Sequence, residues 1–316
     1  MNQSINSNID PEDIIKQYAV EHHLGESFCH TAHKWFSPLA QRISAHHHEA
    51  KKPILVGING CQGSGKSTLT GLLVELLNNV YAKTAMGCSI DDFYLSKQSR
   101  NELAKSQHPL LATRGVPGTH DTELLKEVIS NLLRSNISTD WRDISVPKFN
   151  KSIDDLYPKN QWSIISKPVD IIILEGWCVG TPAQSDIDLH EPVNDFEKTN
   201  DKTGAWRSYC NAMLATKYKE VFNKINYLIM LKAPSFEQVY SWRLEQEHKL
   251  IASLKQQTSE SLVKKQPIAT MSDQEIKNFI QFYQRLTEHS LTSIPSKCDS
   301  IFYLDNTRSI TQCQQS

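Results

Sequence analysis

The chain has 316 residues and a formal net charge of -1, so it has no excess of positive charge for binding nucleic acid or an anionic membrane surface. No apolar run approaches the ~20 residues that a membrane-spanning helix needs, and the polar start MNQSINSNIDPED lacks the apolar core of a signal peptide. Seven cysteines, an odd number with no C-x-x-C pair, are typical of reduced thiols. These features predict a cytoplasmic globular protein with no nucleic-acid and no membrane partner.

The first 52 residues precede the first predicted strand and are expected to form a helical extension. Asp10-Pro11-Glu12 is typical of a helix start, with Asp as the N-cap and Pro in the first turn. A second helix is expected from Ser27 to His46, packed by its apolar side chains on the rest of the protein. His46-His47-His48 is interpreted as a solvated helix end, because adjacent helical residues do not face one point and therefore do not form a metal site.

The stretch from Gly57 to Leu73, GINGCQGSGKSTLTGLL, contains the phosphate-binding pattern G-x-x-x-x-G-K-[ST]. An apolar, β-branched run precedes it and leucines at helical spacing follow it, which predicts strand, loop and helix. Lys66 is expected to reach the β- and γ-phosphates of ATP, and the Ser67 hydroxyl to bind Mg²⁺. Cys61 is either inert or a thiol whose pKa is lowered by nearby N–H groups. The predicted nucleotide-binding residues are Gly60, Cys61, Gln62, Gly63, Ser64, Gly65, Lys66, Ser67 and Thr68.

Further apolar strands alternate with helices after this loop. TAMGCSIDDFYL predicts a strand that ends in Asp91-Asp92, and Asp121 is expected to cap the helix that follows. VDIIILEGW is the clearest strand, with Glu175 at its C-terminal end. The alternation predicts an α/β fold of the P-loop NTPase type, a mostly parallel sheet covered by helices on both faces. Ligands of such sheets bind at the carboxyl ends of the strands, so these acidic residues and the P-loop are expected to share one site.

Three expectations concern the C-terminal half of the chain. Residues 178–203 are polar and irregular, which predicts a mobile loop. SFEQVYSWRLEQEHKL predicts a helix that carries Arg243, and the next helix is expected to begin with a capping box of Ser272 and Glu275. SIFYLD is expected to be the last strand, followed by a frayed tail after Arg308.

Phosphoryl transfer needs charge neutralisation, in-line positioning and a base for the incoming hydroxyl. Asp91 and Glu175 lie at the ends of two predicted strands and are candidates for the base and for a water-mediated contact to Mg²⁺. If the strand continues through Asp91 and Asp92, their side chains point in opposite directions, so only one of them is expected to face the site. For Asp92, a functional role and a role as an ordinary surface charge both stay open.

Five motifs in this order, GxxGxxGSGKST, SIDDFYL, RGVPGTHD, VPKFNKS and ILEGW, resemble the plant-type D-glycerate 3-kinase family and its bacterial and fungal relatives. More distantly, the arrangement is similar to uridine kinase, pantothenate kinase and phosphoribulokinase. The resemblance covers roughly residues 53–306 and implies a P-loop kinase domain over residues 53–316. It also implies ATP and Mg²⁺ as cofactors, and transfer of the γ-phosphoryl group to a hydroxyl of a small acceptor, with D-glycerate giving 3-phosphoglycerate.

The resemblance assigns roles to residues beyond the P-loop. Asp91 resembles the catalytic base, Glu175 the Mg²⁺-associated carboxylate and Arg243 the lid arginine that contacts the ATP phosphates. The expected catalytic residues are thus Lys66, Asp91, Glu175 and Arg243, and the expected metal ligands are Ser67 and Glu175. The expected substrate-binding residues are Asp92, Tyr94, Arg114, His120, Asp121 and Lys151.

The basic members of the acceptor set, Arg114, His120 and Lys151, are compatible with a small anionic hydroxy acid, since a carboxylate is well held by an arginine. Many relatives have Tyr-Asp where this chain has Phe149-Asn150, which leaves a pantothenate-like or nucleoside-like acceptor open. A non-catalytic ATP-binding sensor is a further alternative. A GTPase is disfavoured, because residues 223–226 read N-K-I-N and precede their strand, whereas the guanine motif N-K-x-D follows one.

Overall fold

The computed structural model describes residues 9–134, 141–245, 247–248 and 272–315. Part of the helix predicted for SFEQVYSWRLEQEHKL, namely residues 246, 249 and 250, lies outside the described residues. The strands, in chain order, are β1 (Ile54–Gly60), β2 (Ala85–Ser89), β3 (Ile144–Val146), β4 (Phe149–Asn150), β5 (Asp155–Leu156), β6 (Ser163–Ile165), β7 (Ile171–Gly176), β8 (Ile225–Lys232), β9 (Ser300–Leu304) and β10 (Ile310–Gln315).

Helices surround these strands. In chain order, the α-helices are α1 (Pro11–Glu21), α2 (Glu26–Thr31), α3 (Ser37–Ala50), α4 (Lys66–Asn79), α5 (Lys97–Ser106), α6 (Thr122–Leu133), α7 (Asp195–Asn200), α8 (Ala205–Met213), α9 (Lys219–Phe222), α10 (which includes residues 236–245) and α11 (Asp273–Ser293). The capping box expected at the start of α11 is present. Within the described residues, every helix is too short or too polar to cross a membrane.

The main sheet has six strands in the order β10-β9-β8-β1-β7-β2. All neighbours pair in parallel except β9 and β10. Successive residues of β1 face different layers: Ile54 and Val56 join the core that contains α4, whereas Leu55 joins the core that contains α6. Both faces are therefore buried under helices, which explains the continuous apolar runs of β1 and β7. The predicted fold class is confirmed.

The N-terminal helices pack on the P-loop helix. Asp10 caps α1 as expected, and α2, a π-helical segment (Ala32–Phe36) and α3 follow one another where a single helix was predicted. Ile15 and Leu39 share a core cluster with the α4 leucines, and the Tyr18 hydroxyl donates a 3.1 Å hydrogen bond to the Thr68 carbonyl. The extension thus contacts the helix that follows the phosphate loop. A domain boundary at residue 52 stays a prediction.

The expectation of a solvated histidine run is wrong for its middle residue. The His47 side chain is 12% exposed and lies 3.6 Å from Asp170, and burial lowers the pKa of His47. Among the residues that the structure describes, no three His, Cys, Asp or Glu side chains form a group able to hold a metal ion.

The expectation of a mobile loop over residues 178–203 is wrong in its main feature. This segment contains α7 and buries two carboxylates in ion pairs, Glu197 with Arg285 at 2.7 Å and Asp201 with Arg207 at 2.9 Å. These acidic residues suggested a solvated loop, but their charges are paired inside the protein. The partner of Glu197 is distant in the sequence, whereas the partner of Asp201 is near.

The expectation of a frayed tail after Arg308 is also wrong. β10 pairs antiparallel with β9 and forms the edge of the main sheet. The Asp305 carboxylate accepts hydrogen bonds from the backbone N–H groups of Thr307 and Ser309 and thereby closes the turn between the two strands.

Candidate active site

The phosphate loop connects β1 to α4, as predicted. Gly63 and Gly65 have φ angles of 78° and 92°, which glycine adopts readily and other residues rarely adopt. A Cβ atom on Gly60 would lie 2.6 Å from Ser64 Oγ, so a side chain there would clash with the loop. The Ser64 hydroxyl is buried and has no hydrogen-bond partner among the described residues. A polar atom enclosed in this way fits a loop that is built to bind an anion.

Lys66 and Ser67 in the first turn of α4 meet Glu175 at the end of β7. The Ser67 hydroxyl donates a 2.9 Å hydrogen bond to Glu175 Oε1, and Lys66 Nζ lies 3.8 Å from Glu175 Oε2. Glu175 is 7% exposed, so these two partners, and not water, stabilise its carboxylate. Mg²⁺ is usually bound by one or two carboxylates together with substrate phosphates, and these hydroxyl and carboxylate oxygens fit that requirement.

A cleft of about 420 Å³ opens beside this pair. Ser67 and Glu175 line it together with Asp92, which belongs to the next segment of the chain. The expected convergence of the P-loop with two strand ends is therefore present, and it brings together hydroxyl and carboxylate groups.

Asp91 and Asp92 do not continue a strand. β2 ends at Ser89, whose hydroxyl accepts the Asp91 N–H, and residues Ile90–Phe93 form a 3-10 helix. The argument that side chains alternate in direction along a strand therefore does not apply to these two residues. The two side chains still separate: Asp92 accepts a 3.1 Å hydrogen bond from the Phe149 N–H, whereas Asp91 accepts bonds from the Tyr94 hydroxyl at 2.9 Å and the Lys151 ammonium at 2.7 Å.

The two aspartates also differ in acidity. Burial alone would raise the pKa of Asp91, but the charge and hydrogen bond of Lys151, with smaller contributions from His120 and Lys66, lower it below the ordinary value. Burial raises the pKa of Asp92, and the Phe149 N–H offsets this only in part. Asp91 is thus a well-ionised carboxylate within the electrostatic reach of the P-loop lysine.

His120 and Tyr94 form one packed unit. Their rings stack at 4.4 Å, and His120 Nδ1 lies 2.6 Å from the Tyr218 hydroxyl, which also accepts the Gly118 N–H. His120 is 2% exposed, and burial lowers its pKa to about 4. The expectation that His120 acts as a basic group is wrong, because its ring is neutral at pH 7. Its Nε2 atom is buried without a partner among the described residues.

Asp121 has the structural role that the sequence predicted. Its carboxylate accepts a 2.9 Å hydrogen bond from the Leu124 N–H and caps α6. The additional expectation that Asp121 binds substrate stays a prediction.

Arg114 lies in a cluster of charges that sequence analysis missed. Arg114 and the fully buried Arg100 both bind the carboxylate of Asp154, and both guanidinium groups lie within 6 Å of the Phe149 ring at 5.5 and 5.7 Å. The two guanidinium groups share the Asp154 carboxylate, and the charge of the neighbouring Asp155 also acts on Arg100. No sequence signal pairs Arg100 with Asp154, since 54 residues separate them.

The structure places Arg243 on α10, where it pairs with the buried Glu247 at 2.7 Å. A contact of Arg243 with ATP phosphates stays a prediction. Sequence analysis also missed Arg308, which lines a cavity of about 290 Å³ with Ser64 and Thr68 of the phosphate loop and with Phe28 of the N-terminal extension.

The hypothesis of a reactive thiol in the phosphate loop is wrong. Cys61 is 8% exposed, and burial raises its pKa to about 12 despite the nearby Lys66 charge. The alternative, an inert loop residue, is the one that the structure supports.

Comparisons with known proteins identify the family of the chain. No family model matches the chain. The uncharacterized kinase mug58 of Schizosaccharomyces pombe is 31% identical over 245 residues, which cover 73% of this chain and 79% of that protein. The chloroplastic D-glycerate 3-kinase of Arabidopsis thaliana is 29% identical over 241 residues, which cover 73% of this chain and 46% of that protein. The solved structure of D-glycerate 3-kinase from Cryptococcus neoformans has the same fold, with a TM-score of 0.69 and 24% identity over 88% of this chain and 99% of that chain. The chain therefore belongs to the family of P-loop kinases that contains the plant D-glycerate 3-kinase and its fungal relatives.

Proposed function

We propose that the protein is a cytoplasmic, ATP-dependent kinase that transfers the γ-phosphoryl group to a hydroxyl of a small anionic hydroxy acid, with D-glycerate as the acceptor and 3-phosphoglycerate as the product. The observation that carries the proposal is the position of Asp91. The positive charge of Lys66, on the nucleotide side, helps to lower the pKa of this carboxylate. The Lys151 ammonium lies 2.7 Å from it. The reaction requires a base for the incoming hydroxyl near the bound phosphates, and Asp91 is the proposed base.

On the nucleotide side, the phosphate loop binds the β- and γ-phosphates through its N–H groups and Lys66. Ser67 and Glu175 are the groups that would hold Mg²⁺, which supplies charge neutralisation at the phosphates when it is bound. The cavity lined by Ser64, Thr68 and Arg308 is adjacent to the loop and has room for the adenine base. Arg243 is proposed to reach the phosphates from α10.

On the acceptor side, Asp91 accepts the proton of the reacting hydroxyl as the oxygen attacks phosphorus. Tyr94 holds one oxygen of Asp91 by a 2.9 Å hydrogen bond. Arg114 and Lys151 bind the carboxylate of the acceptor in this proposal, since both are cationic side chains with access to water, 30% and 61% exposed respectively. A carboxylate is well held by an arginine, which favours an anionic acceptor over an uncharged one.

Incubation with Mg·ATP and one of four acceptors tests the proposal: D-glycerate, L-glycerate, pantothenate or uridine. The expected result is ADP release and a phosphorylated product of the right mass with D-glycerate. The Lys66→Ala variant, prepared identically, controls for contaminating kinases. Turnover with pantothenate or uridine but none with either glycerate would overturn the acceptor assignment. An absence of acceptor-dependent ADP release across a wider set of alcohols would favour the ATP-binding sensor.

A further inference from the structure

The hairpin formed by β4 and β5 carries Lys151 and is held in place by buried and half-buried polar contacts. Asp92 accepts the N–H of Phe149 at its start, and Arg100 donates a 2.7 Å hydrogen bond to Asp154 at its end. Asp154 adopts a left-handed conformation with φ of 58°, which closes the turn. The backbone of the hairpin is thus anchored on both sides of Lys151, so that only the lysine side chain is free to change its partner.

The Lys151 side chain is 61% exposed, and its partner Asp91 is 26% exposed. A pair with such access to water contributes on the order of 0–1 kcal/mol, and the lysine stem is flexible. The ammonium nevertheless occupies Asp91 Oδ2, while the Tyr94 hydroxyl occupies Oδ1. Both oxygens of the proposed base therefore have a partner before any acceptor is present.

We propose that Lys151 couples the availability of this base to the charge of the acceptor. A carboxylate on the acceptor competes with Asp91 for the ammonium group, and the exchange of one weak, exposed ion pair for another releases Asp91 Oδ2. The freed oxygen takes the proton of the acceptor hydroxyl. The hydroxyl oxygen forms its bond to the γ-phosphorus, and the bond from that phosphorus to the bridging oxygen breaks, leaving its electron pair on ADP. This inference rests on the function proposed above.

Arg114 cannot replace Lys151 in this role, because it already binds Asp154 on the other side of the hairpin and contacts the Phe149 ring. Arg114 can attract the same acceptor carboxylate, but its position does not affect the partner of Asp91. A neutral polyol of similar size leaves the Lys151–Asp91 pair intact, so it meets a carboxylate whose negative charge is shared with the ammonium group and whose basicity is therefore lower. Lys151 is therefore a specificity-determining residue that acts through Asp91.

The test compares D-glycerate with glycerol, which has the same carbon skeleton without the carboxylate. In Lys151→Met, the ratio of kcat/KM for D-glycerate to that for glycerol is expected to fall several-fold, up to about fivefold, since an exposed ion pair contributes at most about 1 kcal/mol, and turnover of glycerol is expected to rise. Lys148→Met removes the same charge two residues before Asn150 on the same segment, where Lys148 lies over the Tyr157 ring at 5.5 Å. That control is expected to keep the wild-type ratio.

A purely structural role for Lys151 would lower turnover of both acceptors equally, and an unchanged ratio in Lys151→Met would overturn the inference while leaving the proposed function intact. An equal fall of the ratio in Lys148→Met would also overturn it, because general loss of charge would then explain the effect. Failure of the wild-type protein to phosphorylate any hydroxy acid would instead overturn the proposed function, and the inference with it.

Discussion

The Ser67 hydroxyl donates a 2.9 Å hydrogen bond to Glu175 although 108 residues separate the two in the chain. The contact exists because β1 and β7 are parallel neighbours, with Asn59 in register with Gly176. The turn after β1 and the end of β7 therefore open on the same edge of the sheet. This register places the buried carboxylate against the first turn of α4, where a metal ion bound to phosphate is expected.

Glu175→Gln is expected to raise the Mg²⁺ concentration needed for half-maximal activity about 10- to 100-fold. The amide keeps an oxygen that can accept the Ser67 hydrogen bond, but it lacks the charge that attracts the cation. A titration of activity against Mg²⁺ at saturating ATP measures this. Glu75→Gln removes an exposed carboxylate that lines the same cleft on α4 and should leave the requirement unchanged. If the wild type, Glu175→Gln and Glu75→Gln all needed the same Mg²⁺ concentration, Glu175 would be excluded from the metal site.

Much of the sheet could be predicted because its signals are local. The apolar runs of β1 and β7, the glycine-rich loop and the leucine spacing of α4 each lie within one short segment. The capping box of Ser272 and Glu275 is equally local. The convergence of Lys66 and Glu175 also followed from the sequence, since parallel strands share one carboxyl edge.

The remainder of the site depends on contacts between distant segments. Arg100 and Asp154 meet across 54 residues, and no periodicity or motif connects them. The 3-10 helix at Ile90–Phe93 was mistaken for the end of a strand, because its residues are apolar or acidic, as strand ends in this fold often are. The neutral state of His120 depends on burial by Tyr94 and Tyr218, which is a property of the packed structure.

Substitution of the two neighbouring aspartates should separate the proposed base, Asp91, from Asp92, whose carboxylate accepts the Phe149 N–H. Asp91→Asn is expected to reduce kcat about 10²–10⁴-fold, the usual contribution of a general base, while Mg·ATP binding stays near that of the wild type. Asp92→Asn keeps an oxygen that can accept the Phe149 N–H, and it should reduce kcat by less than about tenfold. Single-turnover rates and nucleotide titrations of both variants provide the data. Loss of ATP binding in Asp91→Asn would reassign this residue to the nucleotide site.

His120 is expected to make the stability of the protein depend on pH. Its pKa is lowered from 6.5 to about 4 by burial, so between these values the unfolded chain binds a proton that the folded protein does not. The free energy of unfolding should therefore decrease as pH falls through this window, by up to about 1.4 kcal/mol per pH unit from this residue. Above pH 6.5 the contribution of His120 is constant.

Urea unfolding of the wild type and of His120→Asn, each at several values between pH 4 and pH 7, measures this contribution. Asparagine does not titrate, so the variant should show a shallower dependence on pH, whatever its overall loss of stability. His30→Asn, which changes an exposed histidine, is the matched control and should follow the wild type. Parallel curves for the wild type and His120→Asn would show that His120 titrates normally in the folded protein.

The segment between β7 and α8 is held by Arg285 on α11. Its guanidinium donates hydrogen bonds of 2.8 and 2.7 Å to the two oxygens of Glu197, and further bonds of 2.6 Å to the carbonyl groups of Asp188 and Glu191. The Arg285 side chain is 9% exposed and that of Glu197 is 1% exposed. The pair is therefore shielded from water, and neither charge can be solvated if the other is removed.

Arg285→Met is expected to lower the free energy of unfolding by about 3–5 kcal/mol, because it leaves the Glu197 charge buried without its partner. The double variant Arg285→Met with Glu197→Leu should recover a large part of this loss, since it replaces the ion pair by apolar side chains. Lys217→Met, which breaks the exposed pair of Lys217 with Glu123, should leave the free energy of unfolding nearly unchanged, because water already solvates both charges. Urea unfolding of the wild type, these three variants and the single variant Glu197→Leu gives these values. A double variant as unstable as the sum of its single substitutions would show that the carbonyl contacts of Arg285, and not its pairing with Glu197, hold this segment in place.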